Sequence, residues 1–416
     1  MPFELVSATV CQGDAPKHPT EPWRPFKDAG EPAPISWPKK PKQVLLTLPA
    51  FGGTGVSSWV ETMCAHMDRK HWIPNVWADQ AAITSIDRLR ELGVNVIVPR
   101  VSITSSGENS YQQRTELLMD WPVAVDIVQN SISDLAVDVA SFHGVPVIET
   151  IHGWSGALKL PYKDKLSGIV AVSDICWGPY VRLPNVPTSL IPNGVDTEYW
   201  KRVDEEVEVV EPRTMLKLRF DMGNDLNLCK LDIDKNKKNI VWAGRFTVEK
   251  GPDMLYNIVR STSHIPDLHF WIAADTLGNP DLVAGLNAMP NCSCLGFLPK
   301  DTLRALYSQC DIYLSTSKHE GMSMAMLEAI ACECFPISSL AASDVIGDGI
   351  YGDIIVSDDP QAYIEAIQEA PDDCGKDGRA AVVKNFGAEK MVTSYGHFWS
   401  YILGGKRLGQ SASSQR

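Results

Sequence analysis

In the segment KHEGMSMAMLEAIACECFPI, residues 318–337, two carboxylates stand eight residues apart. Glu320 sits in a polar stretch, whereas Glu328 is surrounded by Met322, Met324, Ala325, Met326, Leu327, Ala329, Ile330 and Ala331. A helix with that composition is expected to be buried on nearly every side. A buried carboxylate without a partner costs several kcal/mol or takes up a proton, so a ligand or another side chain must meet Glu328. The helix is expected to open near Ser323, which puts Glu320 at a pocket and aims the backbone N–H groups of Gly321, Met322 and Ser323 into it. Beside a phosphate a carboxylate is repelled, so it belongs there only if it grips a neutral partner with two donors. Vicinal hydroxyls of a sugar or ribose meet that need. Pairing of Glu328 with a distant Arg or Lys is the plain alternative.

Cations stand at a matching place upstream. In VWAGRFTVEKG, residues 241–251, a strand ends near Ala243, Gly244 permits a turn, and Arg245 and Lys250 precede a helix opening at Pro252. A planar guanidinium, a point charge and a helix N-terminus at the carboxyl end of a parallel strand make a diphosphate site. A pair of solvated surface cations is the alternative. PAFGGTGVSSW, residues 49–59, is a Gly-rich turn with Gly52 and Gly53. Its spacing Gly53-x-Gly55-x-x-Ser58, with Asp79 downstream, approximates a dinucleotide fingerprint, which keeps a dehydrogenase in view. Equally, it lets a phosphate or sugar approach the backbone closely. His152 in ETIHGW follows a buried strand, at the face where parallel sheets bind ligands. Asp232-x-Asp234 reads as a solvated turn rather than a metal site. The pairs Cys292-x-Cys294 and Cys332-x-Cys334 read as buried thiols rather than zinc ligands.

These residues must be positioned by a repeating scaffold. Residues 1–42 hold nine prolines and read as a tail or surface strap. From residue 43, short β-branched runs at 44–50, 94–98, 125–129, 145–150, 168–172 and 188–191 alternate with amphipathic stretches of helical length. That rhythm implies a parallel sheet covered on both faces, domain 43–195. It breaks in a charged connector, 196–236, then resumes at 239–244, 268–274, 292–297, 311–316 and 335–339, giving a second domain over 237–387. In 388–416, Met391, Tyr395, Phe398 and Ile402 form one helical stripe able to pack on a domain and bridge back to the first.

At 416 residues, two or three domains are expected. The formal charge of −13 argues against nucleic acid as the main partner. No apolar run is long enough to span a membrane, and no signal peptide or basic amphipathic helix is evident. A cytoplasmic protein with at most peripheral membrane contact is expected. The ten cysteines then read as thiols rather than a disulfide framework.

Taken in order, the motifs resemble those of the retaining family-4 glycosyltransferases of GT-B fold: the glycine turn, His152, VAVSD at 170–174, IPNGVD at 191–196, GRFTVEKG at 244–251, GFLPKDTLRALYSQCDIYLSTS at 296–317 and EGMSMAMLEAIAC at 320–332. The resemblance covers most of residues 43–404. It implies two Rossmann-like, doubly wound parallel-sheet domains facing across a cleft, the second holding a nucleotide-sugar donor and the first most of a sugar, glycan or small-molecule acceptor. By position it implies that Arg245 and Lys250 stabilise the leaving diphosphate, Glu320 binds the transferred sugar and Glu328 the ribose. Gly321, Met322 and Ser323 would donate N–H bonds, His152 would face the sugar, and Gly52 and Gly53 would approach the phosphates. A UDP- or GDP-sugar is the implied donor, with no cofactor, no metal and no protein nucleophile. A nucleotide-sugar epimerase or phosphorylase on the same fold is the alternative. Two departures stand out. Ser323 replaces a frequent glycine. Glu333 stands where a glycine commonly ends the helix, so the helix exit is expected to be built without a left-handed turn.

Overall fold

The computed structural model describes residues 37–52, 54–81, 83–98, 124–153, 163–177, 186–204, 206–210, 228–275, 279–346, 351–371 and 375–404. The sequence expectations for residues 1–36, for Gly53 and for residues 405–416 lie outside these. In the first lobe the chain runs β1 (Lys42–Phe51), α1 (Gly55–His66), β2 (Trp72–Ala81), α2 (Ile83–Glu91), β3 (Asn95–Ile97), β4 (Ile127–Asn130), α3 (Asp134–Phe142), β5 (Val147–Ile151), β6 (Gly168–Ala171), α4 (Asp174–Trp177) and β7 (Thr188–Leu190). These strands form one parallel sheet in the order β3-β2-β1-β4-β5-β6-β7. The order reverses beside β1, so the ends of β1 and β4 flank the crevice where such sheets receive ligands.

An antiparallel ribbon of β8 (Glu208–Val210) and β9 (Leu228–Lys230) follows, inside the stretch read as connector. The second lobe runs β10 (Lys238–Arg245), α5 (Pro252–Ser261), β11 (Leu268–Asp275), α6 (Pro280–Asn287), β12 (Cys292–Cys294), α7 (Lys300–Gln309), β13 (Ile312–Ser315), α8 (Met324–Ala331), β14 (Phe335–Ser339), β15 (Asp353–Ile355), α9 (Pro360–Glu369) and α10 (Gly375–Asn385). Its strand order is β12-β11-β10-β13-β14-β15, again wholly parallel, with the reversal beside β10. Helix starts follow their local chemistry. Thr54, Ser133, Asn279, Ser323 and Asp359 each cap a helix through a side-chain oxygen.

Helix α11 (Ala388–Leu403) returns to the first lobe. Trp399 Nε1 donates to Gln129 Oε1 of β4 at 2.8 Å, Tyr395 packs edge-on against Trp59 of α1, and Phe398 lies over Gly168 of β6. A single apolar cluster therefore runs from the first sheet to Met322, Met324 and the buried face of α8.

One sequence expectation is corrected here. The exit of α8 does use a left-handed residue: Glu333 has φ 72°. Its N–H donates to Ile330 O at 2.9 Å, and the Cys334 N–H donates to Ala329 O at 3.0 Å, the two bonds of a Schellman cap. Tertiary packing outweighs the cost for a Cβ-bearing residue. A Cβ on Gly375 would lie 1.7 Å from Glu333 O, so α10 fits directly over this turn. Strands β2 and β15 and the β8/β9 ribbon lie outside the runs read from the sequence; in β2, Pro74 and Asn75 interrupt the apolar pattern. Pairing with β3 begins only at Asn75, so Pro74 removes no donor that β3 uses.

Candidate active site

Two loops at the carboxyl ends of β10 and β13 are stapled together. The Lys318 N–H donates to Glu249 O at 2.7 Å, and Thr316 Oγ1 lies 3.0 Å from the carbonyls of both Lys250 and Gly251. Gly251 is required on two counts: its φ is 62°, and a Cβ there would sit 2.1 Å from Thr316 O. The stapling brings Lys250 Nζ onto Glu320 Oε1 as an ion pair, with side chains 21% and 11% exposed. Ser317 Oγ donates to the same Glu320 oxygen at 2.9 Å. Arg245, at the end of β10, is 58% exposed and reaches Glu249 at 3.7 Å.

Beyond Glu320, the chain passes beneath the first lobe. A Cβ on Gly321 would stand 2.0 Å from the His152 carbonyl oxygen, so the two backbones touch across the cleft. Asn193, in the segment leaving β7, donates from Nδ2 to Met322 O at 3.0 Å. Ser323 caps α8 by accepting from Met326 N–H at 3.3 Å, which leaves the preceding N–H groups at the helix entrance. Glu328, one turn further, is 5% exposed. Its carboxylate accepts from Ser58 Oγ of α1 at 2.7 Å. Burial pushes its pKa up to about 7, opposed by the Lys300 charge and the Ser58 bond and reinforced by Glu61. The charged partner foreseen as an alternative thus acts at a distance, and the direct partner is a hydroxyl.

His152 Nε2 lies 3.1 Å from Ser131 Oγ, and the ring meets Trp59 edge-on. Burial lowers its pKa to about 3, so the imidazole is neutral at physiological pH. Its neighbourhood is rigidly built. Buried Glu149 accepts the Ile132 N–H at 2.9 Å and a bond from Asn130, holding Ile132 at φ 63°, a costly conformation for a β-branched residue. The Gly52 N–H is taken by Ser57 Oγ at 3.0 Å.

Residues 237–373 match the family model described as Glycosyl transferases group 1. That match covers most of the second lobe. Alpha-galactosylglucosyldiacylglycerol synthase of Streptococcus pneumoniae is 27% identical over 179 residues, 41% of this chain and 42% of that protein. The match thus spans less than half the length of this relative. A glycosyltransferase from Rickettsia africae superposes with TM-score 0.66 at 17% identity, covering 88% of this chain and 99% of that one. Anabaena HepE in complex with UDP and glucose also gives TM-score 0.66, at 14% identity, covering 86% and 100%. The fold is GT-B.

Lys250 pairs with Glu320, and from there Gly321, Met322 and Ser323 lead into the buried entrance of α8, where Gly321 meets the His152 backbone; Arg245 is placed only against Glu249. Glu328 lies behind, held through Ser58. Gly52 is near the start of α1, and Gly53 lies outside the described residues. Sequence reasoning passed over Ser58, Asn193, Lys300 and Glu61. Ser58 was visible only as the misfit at the third position of the glycine turn. Asn193 lay inside the IPNGVD motif without an assigned role, and Lys300 inside GFLPKD. The Asp232-x-Asp234 segment is an exposed turn in which Asp234 accepts from Asn236. Cys292, Cys294, Cys332 and Cys334 are free thiols. Among the described residues no helix is long and apolar enough to cross a membrane.

Proposed function

We propose that this chain is a cytoplasmic, metal-independent glycosyltransferase that moves a hexose-type sugar from a nucleoside-diphosphate donor to an acceptor hydroxyl, with retention at the anomeric carbon. The observation carrying this reading is the Lys250–Glu320 pair just before the entrance of α8, where Gly321 meets the His152 carbonyl of the other lobe. Arg245 and Lys250 meet the charge that develops on the departing diphosphate, together with N–H groups at the start of α8. Removing one such preorganised donor costs about 100- to 1000-fold in rate. Glu320 accepts hydroxyls of the transferred sugar, and Glu328 those of the ribose. The acceptor hydroxyl attacks on the face from which the diphosphate leaves. Its proton passes to a diphosphate oxygen as the old glycosidic bond breaks and the new one forms, so no protein nucleophile is needed.

A uridine nucleotide is supported by the HepE structure, whose bound ligands are UDP and glucose; a guanosine nucleotide remains the second donor to test. A dinucleotide reading of the glycine turn finds less support, because the Asp79 carboxylate accepts from Trp77 Nε1 at 2.8 Å and from Ser133 Oγ at 3.1 Å. The test is thermal-shift screening against UDP-, GDP- and ADP-sugars, followed by assignment of the anomeric configuration of the product by NMR. Stabilisation of about 2 to 3 kcal/mol is expected at a hundredfold excess over the dissociation constant. Arg245→Ala should lower turnover about 100-fold or more with little loss of stability. Equal loss of both, or binding of nicotinamide dinucleotides in place of nucleotide-sugars, overturns the reading.

A further inference from the structure

Helix α1 leaves the glycine turn with Ser58 and Glu61 three residues apart, hence on one face. Both reach the second lobe. Ser58 Oγ donates to Glu328 Oε1 at 2.7 Å, and Glu61 Oε2 lies 3.2 Å from Lys300 Nζ. Gly55, at the first turn of α1, lies over Met324 at the first turn of α8: a Cβ there would come within 3.7 Å of Met324 Cγ. The entrances of two helices from different lobes are therefore in contact, and Ser58 is the hydroxyl that joins them.

A carboxylate has two oxygens and accepts about four hydrogen bonds. Among the described residues, Ser58 is the single hydrogen-bonding partner of Glu328 and engages Oε1. Oε2 is not among the side-chain atoms sealed from solvent without a partner, so it stays accessible to a further ligand. Since Ser58 comes from the opposite lobe, its bond exists only when the lobes are together. Resting on the reading of Glu328 as the ribose carboxylate, we propose that Ser58 is a positioning residue for donor binding. Its cross-lobe hydrogen bond orients Glu328, leaving Oε2 for the ribose hydroxyls, so that lobe closure and capture of the nucleoside become one event.

The electrostatics agree with this arrangement. Glu328 is faced by Lys300 and Glu61, by the phenols of Tyr307 and Tyr313, and by the Cys332 thiol. Only Lys300 and Ser58 favour its ionised form. Lys300 is itself shared, lying against Glu61 and 5.3 Å from the centre of the Tyr199 ring. Loss of the Ser58 hydroxyl therefore favours protonated Glu328, a poorer acceptor for two hydroxyls.

The experiment is isothermal titration of the full chain with UDP and GDP and with their 2′,3′-dideoxy forms, for wild type, Ser58→Ala and Ser58→Thr. With the nucleotide that binds, removing the ribose hydroxyls should weaken wild type about tenfold or more, as expected for hydrogen bonds to a charged group. Ser58→Ala should weaken the full nucleotide by about the same factor and leave the dideoxy form within about twofold of wild type. Ser58→Thr, which keeps a hydroxyl, should restore most of the loss. In Ser58→Ala the pH below which affinity declines should also move upward. If Ser58→Ala binds both forms as wild type does, or weakens both by an equal factor, Ser58 is a helix-packing residue and the proposal falls while the site assignment stands. Wild-type protein that binds neither nucleotide overturns the site assignment and this coupling with it.

Discussion

Lys250 and Glu320 are bound to each other, not merely to the same cleft. Their assigned roles are opposite, the cation for the diphosphate and the carboxylate for sugar hydroxyls, yet in the free protein each neutralises the other. A half-buried pair of this kind holds both side chains in place, and breaking it by removing one partner leaves the other charge exposed to its ligand. Glu320→Gln should accordingly free Lys250. The expected outcome is nucleoside-diphosphate affinity that is unchanged or several-fold tighter, together with turnover about 100-fold lower because sugar positioning is lost. Lys250→Met should weaken nucleotide binding and turnover together. Titration calorimetry beside initial rates separates the two, and weaker nucleotide binding in Glu320→Gln would refute the assignment.

Gly321 offers a steric test of the same surface. Its hydrogen occupies the place where any Cβ would meet the His152 carbonyl at 2.0 Å, and that oxygen belongs to backbone, which cannot rotate away. Gly321→Ala should push the lobes apart while each keeps its own sheet and core. A misplacement of about 1 Å costs on the order of 100-fold in rate. Small-angle scattering should show a larger radius of gyration with a near-normal melting temperature. Unaltered kinetics and scattering would mean that the lobes need not approach this closely.

Glu328 carries a pH signature. Burial raises its pKa to about 7 in the folded chain, against about 4.3 when unfolded. The folded state thus holds the proton more tightly. The stability this gives is complete below about pH 4 and is lost as pH rises through about 7, by up to about 4 kcal/mol. Glu328→Gln should therefore be more stable than wild type at pH 8 and similar to it at pH 4.5, while binding nucleotide more weakly. Urea midpoints at the two pH values check this. A stability difference that does not change with pH would place the raised pKa in error.

The parts of this molecule that follow local rules were readable in advance. Continuous apolar strands between Gly-rich turns announced two parallel sheets, and the pattern around Glu328 announced a buried helix with an acid in it. What stayed hidden depends on contacts between distant segments. Nothing near Ser58 in the chain says that it faces Glu328, 270 residues away. Asn193 reads as a turn residue until Met322 is seen beside it. Strand β2 was lost to Pro74, which is tolerated because of where β3 begins. The pairing of Lys250 with Glu320 was equally invisible, since spacing put both at one pocket without saying that they would bond.

The Glu333 turn shows how tertiary context overrides a sound local rule, and it can be measured. A residue with a Cβ pays about 1 to 2 kcal/mol more than glycine in the left-handed region. The compensation in sight is weak: Arg202 lies 4.0 Å away, half exposed, and such surface pairs contribute about 0 to 1 kcal/mol. Glu333→Gly keeps both Schellman hydrogen bonds and removes the strain, at the cost of that pair and some backbone freedom in the unfolded chain. A net gain of about 1 kcal/mol in denaturant unfolding is expected, with kinetics unchanged because the turn lies at the far end of α8 from Ser323. Gly375 is the contrasting case. Its Cβ would strike Glu333 O at 1.7 Å, so Gly375→Ala should destabilise the second lobe, and the damage should persist in the Glu333→Gly background because the obstructing atom is backbone.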